Sequence, residues 1–189
     1  MCWMIFNAHS DLTGRHAFLS PSAYHWLNYS DQKLEARYVA ATAARRGTDL
    51  HALAHEAIRL GIKLARGNKA LSTYVNDAIG YRMVCDQPLY YSPNCFGSAD
   101  TICFRRNKLR IHDLKTGITP TSEHQLEIYA ALFCLEYSVS PFDIEIELRI
   151  YQRDEIRVFE PYPETILGIM DKIVEFDQQI EVMKTSDLF

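Results

Sequence analysis

Apolar and polar positions along the chain recur with two periods, helical in the first part and strand-like after residue 84. In residues 30–44, Leu34, Tyr38 and Ala41 follow helical spacing, which predicts a helix ending at Arg45-Arg46-Gly47. A separate helix is predicted from Gly47 or Thr48 toward Arg66, with Leu50, Leu53, Ala54, Ala57 and Leu60 as its buried stripe. A short helix over 18–29 precedes them, where Ser20 can cap and Pro21 suits the first turn. Another runs from Asn68 to about Met83. Beyond it the period becomes two. Residues 85–92, 95–104, 108–115 and 142–151 read as strands, with Pro88 marking an edge or bend in the first. The fourth alternates cleanly: Phe142, Ile144, Ile146, Leu148 and Ile150 inward, Asp143, Glu145, Glu147 and Arg149 toward solvent. A helix over 122–137, capped by Thr121 or Ser122, separates it from the others and turns Leu126, Tyr129, Ala130 and Phe133 to the sheet. A turn at Gln152-Arg153-Asp154, a short strand over 155–162 and a long helix over 164–184 complete the pattern.

This order predicts an α/β fold: a central mixed β-sheet of about five strands flanked by helices. At 189 residues it is expected to form a single domain, mainly helical over 1–83, a sheet core over 84–160 and a closing helix over 161–189.

The chemistry concentrates between Gly97 and Tyr129. Side chains of a strand alternate, so Leu109, Ile111, Asp113 and Lys115 share one face. The apolar pair leads to the core, and the acid and amine emerge where the strand ends at Thr116-Gly117. A hairpin turn at Arg105-Arg106-Asn107 returns the preceding strand alongside, which brings Asp100 toward Asp113. Two close carboxylates repel unless a divalent cation sits between them. Gln125 and Tyr129, four apart on the next helix, face one side together. Taken alone, Asp113 and Lys115 read as a salt bridge at a strand end, and Gln125 and Tyr129 as surface and core.

Taken in order, GSAD at 97–100, DLKTG at 113–117 and QLEIY at 125–129 resemble the PD-(D/E)xK nuclease superfamily, in its RecB-like branch of CRISPR-associated and phage exonucleases. GTDLH at 47–51 matches that branch's upstream helix start. The resemblance covers roughly residues 46–130. It implies a restriction-endonuclease-like core with an N-terminal helical extension. His51, Asp100 and Asp113 would be metal ligands, and Lys115, Gln125 and Tyr129 catalytic residues. It also implies Mg²⁺ or Mn²⁺ as cofactor and DNA as partner, with an exonuclease of phage or bacterial recombination, repair or replication as the expected activity. A structure-selective endonuclease, or a non-catalytic nucleic-acid-binding or assembly protein, is the alternative. Some relatives form ring-like oligomers, so a homo-oligomer is compatible. Others carry an iron–sulfur cluster held by one upstream cysteine and three near the C-terminus; no cysteine follows Cys134, and no such cluster is expected.

Composition changes this picture little. The chain is 48% hydrophobic and 23% charged, with a net charge of −4, which argues mildly against nonspecific coating of nucleic acid. Arg105, Arg106, Lys108 and Arg110 form a local basic cluster, and Arg45 and Arg46 another; each is as readily solvated charge as a DNA contact. Tyr24, Trp26 and Tyr29 can stack on bases, although core packing is the commoner role. Five scattered cysteines at 2, 85, 95, 103 and 134 fit reduced thiols in a cytosolic compartment, which the resemblance implies is that of a bacterial or phage-infected cell. The opening residues lack the charge and apolar run of a signal peptide, and no stretch is long enough to span a membrane. His51 and His55, at i and i+4, have the spacing of a transition-metal pair but no third ligand. His55 stands where several relatives have a glutamate and reads as a partly exposed helix histidine, with Glu56 next to it.

Overall fold

A computed structural model describes residues 17–65, 69–117 and 121–186, without the side chains of residues 22, 23 and 186. The chain divides into two compact units, residues 1–46 and 47–189. In the described part of the first, a 3₁₀ helix, Pro21–Asn28, starts on the proline as expected, but Ser20 makes no side-chain capping bond. Trp26 instead donates its indole N–H to the Ser20 carbonyl at 3.0 Å. Tyr24 is exposed, while Trp26 and Tyr29 are half-buried.

The helix α1, Asp31–Leu60, starts in the first unit and ends in the second, with no break at Gly47. Two helices were expected there, because Arg-Arg-Gly reads as a helix stop. The buried stripe also differs: Ala54, His55, Ala57 and Ile58 are covered, whereas Leu53 and Leu60 are exposed. Next come α2, Lys69–Tyr81, and the strands β1, Val84–Ser92, β2, Cys95–Arg105, and β3, Lys108–Lys115. Then follow α3, His124–Glu136, β4, Glu145–Gln152, β5, Glu155–Phe159, and α4, Pro163–Ser186. The N-cap of α3 is Glu123, which makes no side-chain capping bond, so neither Thr121 nor Ser122 plays that part.

The five strands form one mixed sheet in chain order. β1, β2 and β3 are antiparallel, β4 runs parallel to β3, and β5 returns antiparallel to β4. The parallel step requires a crossover, which α3 supplies. This α/β arrangement is consistent with a generic restriction-endonuclease-like topology.

The sheet is covered on both faces. On one, Leu109, Ile111, Leu148 and Ile150 pack with Leu126, Ala130 and Phe133 of α3 and Ile166 of α4. On the other, Leu114, Cys103 and Tyr151 pack with Ala54, Ala57 and Ile58 of α1 and Tyr74, Val75 and Ala78 of α2. This second cover explains a departure in β4. Glu147 and Arg149 were expected to face solvent, yet Glu147 is only 7% exposed. It meets Lys108 at 3.1 Å, Arg149 at 2.9 Å and Arg110 at 3.3 Å. Arg149 continues to Asp77 and to the Tyr81 hydroxyl of α2. Phe142, expected to point inward, lies outside the strand and is exposed. Half of the basic cluster on the β2–β3 hairpin is thereby engaged within the fold. Arg105 and Arg106 remain exposed at its turn.

Among the described residues, no helix is long and apolar enough to cross a membrane. Cys85, Cys95, Cys103 and Cys134 are free thiols; Cys2 lies outside the described residues.

Candidate functional site

The geometry of the site follows from an interruption in the sheet. β1 and β2 pair from Val84–Ile102 to Cys85–Thr101 and resume at Gln87–Ala99, passing over Asp86 and Asp100. β2 and β3 pair as far as Thr101–His112, one step short of Asp100 and Asp113. Asp86 has a left-handed backbone, φ 52°, a conformation that aspartate tolerates better than most residues. The alternation of β2 slips at this point: Ala99 and Ile102, one odd and one even position, both enter the core under α3. Asp100 thus stands where the ladder opens. The Leu114 amide, left without a β2 partner, donates instead to Asp100 Oδ2 at 3.1 Å. β3 keeps its pairing with β4 through Lys115–Gln152, so Asp113 and Lys115 sit on a fixed strand.

The six residues singled out in the sequence fall into two sets of contacts, His51 with Asp100, and Asp113 through Lys115 and Gln125 to Tyr129, which meet at the Leu114 amide next to Asp113. His51 Nδ1 of α1 lies 3.5 Å from Asp100 Oδ2. Lys115 Nζ donates to Asp113 Oδ1 at 3.0 Å and to Gln125 Oε1 at 2.8 Å. The Gln125 amide donates to the Tyr129 hydroxyl at 3.4 Å. Two glycines of the matched motifs make the fit possible. A methyl group at Gly47 would lie 2.5 Å from Thr116 Oγ1, and one at Gly97 would lie 3.1 Å from Tyr129 Cε1. The GT segment is therefore notched against the end of DLKTG, and the glycine of GSAD against the tyrosine of QLEIY.

Asp113 is the electrostatic centre. It is 3% exposed, and burial, followed by the charge of Asp100, pushes its carboxyl above the usual range against the opposing pull of Lys115 and His51. Lys115 Nζ is also 3.0 Å from Oδ2 but is aligned for a hydrogen bond with Oδ1 alone. Oδ2 is buried and receives no hydrogen bond. Its nearest partner is the Lys115 ammonium, and with the charge of Asp100 close by a further cation would lower the cost of keeping both carboxylates ionised.

Among the described residues, no three His, Cys, Asp or Glu side chains close into a group that could hold a metal by themselves. His51, Asp100 and Asp113 therefore do not form a ready protein cage of the zinc type. The donors suit a hard cation that keeps much of its water, because Mg²⁺ needs only one or two carboxylates from the protein. The Oδ2 of Asp113, which accepts no hydrogen bond, is the oxygen such an ion would take.

His55 corrects the sequence reading. It is 5% exposed, not partly exposed. Its Nδ1 lies 2.9 Å from Asp86 Oδ2, and the Tyr74 hydroxyl lies 3.3 Å from its Nε2. With Nδ1–H donating to the carboxylate, Nε2 accepts from Tyr74, a tautomer assigned from the network. Both ring nitrogens are thus occupied, and a transition-metal pair with His51 has no support. The Asp86 contact went unread because an aspartate in an edge strand carries no local sign of its partner.

A second buried histidine, His112, lies beneath the site on the opposite face. Burial, then Arg149 and Arg110, drive its pKa down to about 3, so it is neutral. Tyr151 donates to Asp77 at 2.7 Å, which leaves its oxygen, 3.2 Å from His112 Nδ1, to accept from that nitrogen.

No family model, curated protein or solved structure matches the chain.

Proposed function

We propose that the protein is a metal-dependent nuclease that hydrolyses DNA phosphodiester bonds, on a restriction-endonuclease-like core with an N-terminal helical extension. One observation carries this reading: a buried carboxylate, one oxygen of which accepts no hydrogen bond, near a second carboxylate and held to an ammonium that an amide also grips. A strand-end salt bridge needs neither Asp100 nor Gln125.

Asp100 and Asp113, with the backbone carbonyl that follows Asp113, would hold Mg²⁺ or Mn²⁺, and His51 would contribute from α1. When bound, such an ion supplies a water of lowered pKa and charge to offset the phosphate. Lys115, held by Asp113 and Gln125, presents its ammonium toward the reacting phosphate and stabilises charge developing there. Gln125 orients Lys115. Tyr129 fixes Gln125 and borders the approach. An exonuclease of phage or bacterial DNA metabolism is preferred, on the motif resemblance. A structure-selective endonuclease would use the same residues.

The test compares wild type with Lys115→Ala on end-labelled linear DNA and covalently closed circles, in Mg²⁺, Mn²⁺ or EDTA. Loss of linear DNA that needs the cation and falls at least about a hundredfold in the variant supports the nuclease. Survival of the circles identifies an exonuclease, and their cutting an endonuclease. Folded protein that cleaves no single-stranded, duplex or branched DNA overturns the proposal and favours a binding or assembly role.

A further inference from the structure

Helix α1 meets the functional end of the sheet with one contact per strand. Gly47 is notched against Thr116 just past the end of β3, His51 reaches Asp100 on β2, and His55 reaches Asp86 on β1. The three positions are four apart, so they recur on one side of the helix. Each step advances about 6 Å along the axis, against about 4.8 Å between neighbouring strands. Arg59, four residues further on, ends the series with its guanidinium 3.7 Å from Asp86 Oδ2. His51 is thus the middle contact of three, and a looser one than the next: 3.5 Å to Asp100, against 2.9 Å from His55 to Asp86.

His55 is gripped on both ring nitrogens, by Asp86 on one side and by the buried Tyr74 hydroxyl, 3.3 Å away, on the other. Its ring stands at 89° to that of His51, centroids 6.0 Å apart. Asp86 does little for the sheet. The pairing of β1 with β2 passes over it, its backbone is left-handed, and its side chain is largely exposed. Its one short contact is the imidazole of His55. Among the described residues, no three acids or histidines close into a metal-holding group, so this pair is not itself a ligand set. What it holds is the helix that carries His51.

We propose that Asp86 and His55 are positioning residues for the cation site: they fix the rotation of α1 so that His51 stands beside Asp100, and thereby set how strongly the site prefers Mn²⁺ to Mg²⁺. The inference rests on the nuclease reading and deepens it by naming what selects the ion. Mg²⁺ takes oxygen ligands and keeps much of its water, whereas an imidazole adds affinity for a transition ion. A helix loosened at His55 withdraws that nitrogen donor. Asp100 and Asp113 stay in place, because the sheet carries both.

Cation binding reads this out without turnover. Mn²⁺ affinity is measured from the electron paramagnetic resonance of the free ion, and Mg²⁺ affinity by competition. The proteins are wild type, Asp86→Gly, Asp86→Asn and His51→Ala, and the last combined with Asp86→Gly. Glycine tolerates the left-handed backbone and removes the acceptor, while asparagine keeps an oxygen that can accept from His55. Both lose the same charge, so the hydrogen bond is what separates them. Mn²⁺ binding is expected to be about ten- to a hundredfold weaker in Asp86→Gly, with Mg²⁺ binding within about twofold of wild type and Asp86→Asn near wild type for both ions. In the His51→Ala background, Asp86→Gly should cost nothing further. Tyr74→Phe, which releases the other ring nitrogen at nearly constant volume, repeats the test should Asp86→Gly fail to fold by circular dichroism. Equal loss of both ions, a loss that persists in full without His51, or no loss in any variant overturns the proposal. DNA cleavage is scored separately. Wild type that cleaves with Mn²⁺ while Asp86→Gly binds it normally removes only the positioning role. His51-dependent Mn²⁺ binding without cleavage of any DNA removes only the nuclease, and wild type that binds neither ion overturns both.

Discussion

The α-carbon of Gly97 packs against the ring of Tyr129, leaving 3.1 Å between Cε1 and the position a methyl group would occupy. Tyr129 in turn accepts from Gln125, which holds Lys115. Gly97→Ala is expected to move the tyrosine by a few tenths of an ångström and to slow cleavage up to about tenfold. Gly97→Val, with two more carbons, is expected to slow it about a hundredfold, the scale of an ångström's misplacement. Steady-state rates and melting temperatures separate this effect from unfolding, because both variants should melt near wild type.

Asp113 links the site to pH. Its carboxyl is raised by burial and by Asp100, so the folded chain holds that proton more tightly than the unfolded one. This group's effect on stability therefore turns unfavourable as pH rises from the usual carboxylate range through the raised value. In EDTA at neutral pH, Asp113→Asn is expected to be at least as resistant to urea as wild type. Saturating Mn²⁺, at about a hundredfold over its Kd, should add roughly 2.7 kcal/mol to wild type and nothing to the variant. A wild-type gain that persists at pH values where Asp113 is protonated would refute this coupling.

His55 is a structural anchor. Replacing it with alanine leaves the buried Tyr74 hydroxyl without its acceptor and Asp86 without its imidazole. A cost of about 1–3 kcal/mol is expected in chemical denaturation. Asp86→Asn should cost less, because that side chain is largely exposed and an amide oxygen can still accept.

Glu147 gives the opposite pH dependence to Asp113. Burial raises its carboxyl, but Lys108, Arg149 and Arg110 together overcome this and hold it below the usual range. Its contribution is present above the ordinary value of 4.5 and is lost as pH falls through the depressed one. Glu147→Gln is expected to lose roughly 1–3 kcal/mol at neutral pH. The gap between variant and wild type should narrow in acid, as urea titrations across that range would record.

How much of this was legible in the sequence depended on how local the cause was. Strand β3 was read with its ends, Lys108 and Lys115, because a polar turn and a Thr-Gly stop bracket it. Helix periodicity put Gln125 and Tyr129 on one side, but their place beside Lys115 came only from the motif resemblance. Gly47 misled, since a helix-interior glycine costs only about 1 kcal/mol and packing on Thr116 decides for it. Glu147 misled for the same reason at longer range: alternation identifies two faces, but not whether α2 covers the second. His55 needed Asp86 and Tyr74, neither of which its own helix announces.

The β2–β3 hairpin has a consequence for the order of assembly. Its two carboxylates are joined by a tight turn, so closing that loop costs little chain entropy, and hairpins form in about 1–10 μs. The parallel pairing of β3 with β4 must wait for α3 to cross over. The acidic pair is therefore expected to approach before the far half of the sheet forms, so that its mutual repulsion would act on an early step of folding. Divalent cations, by relieving that repulsion, would accelerate folding as well as stabilise its product.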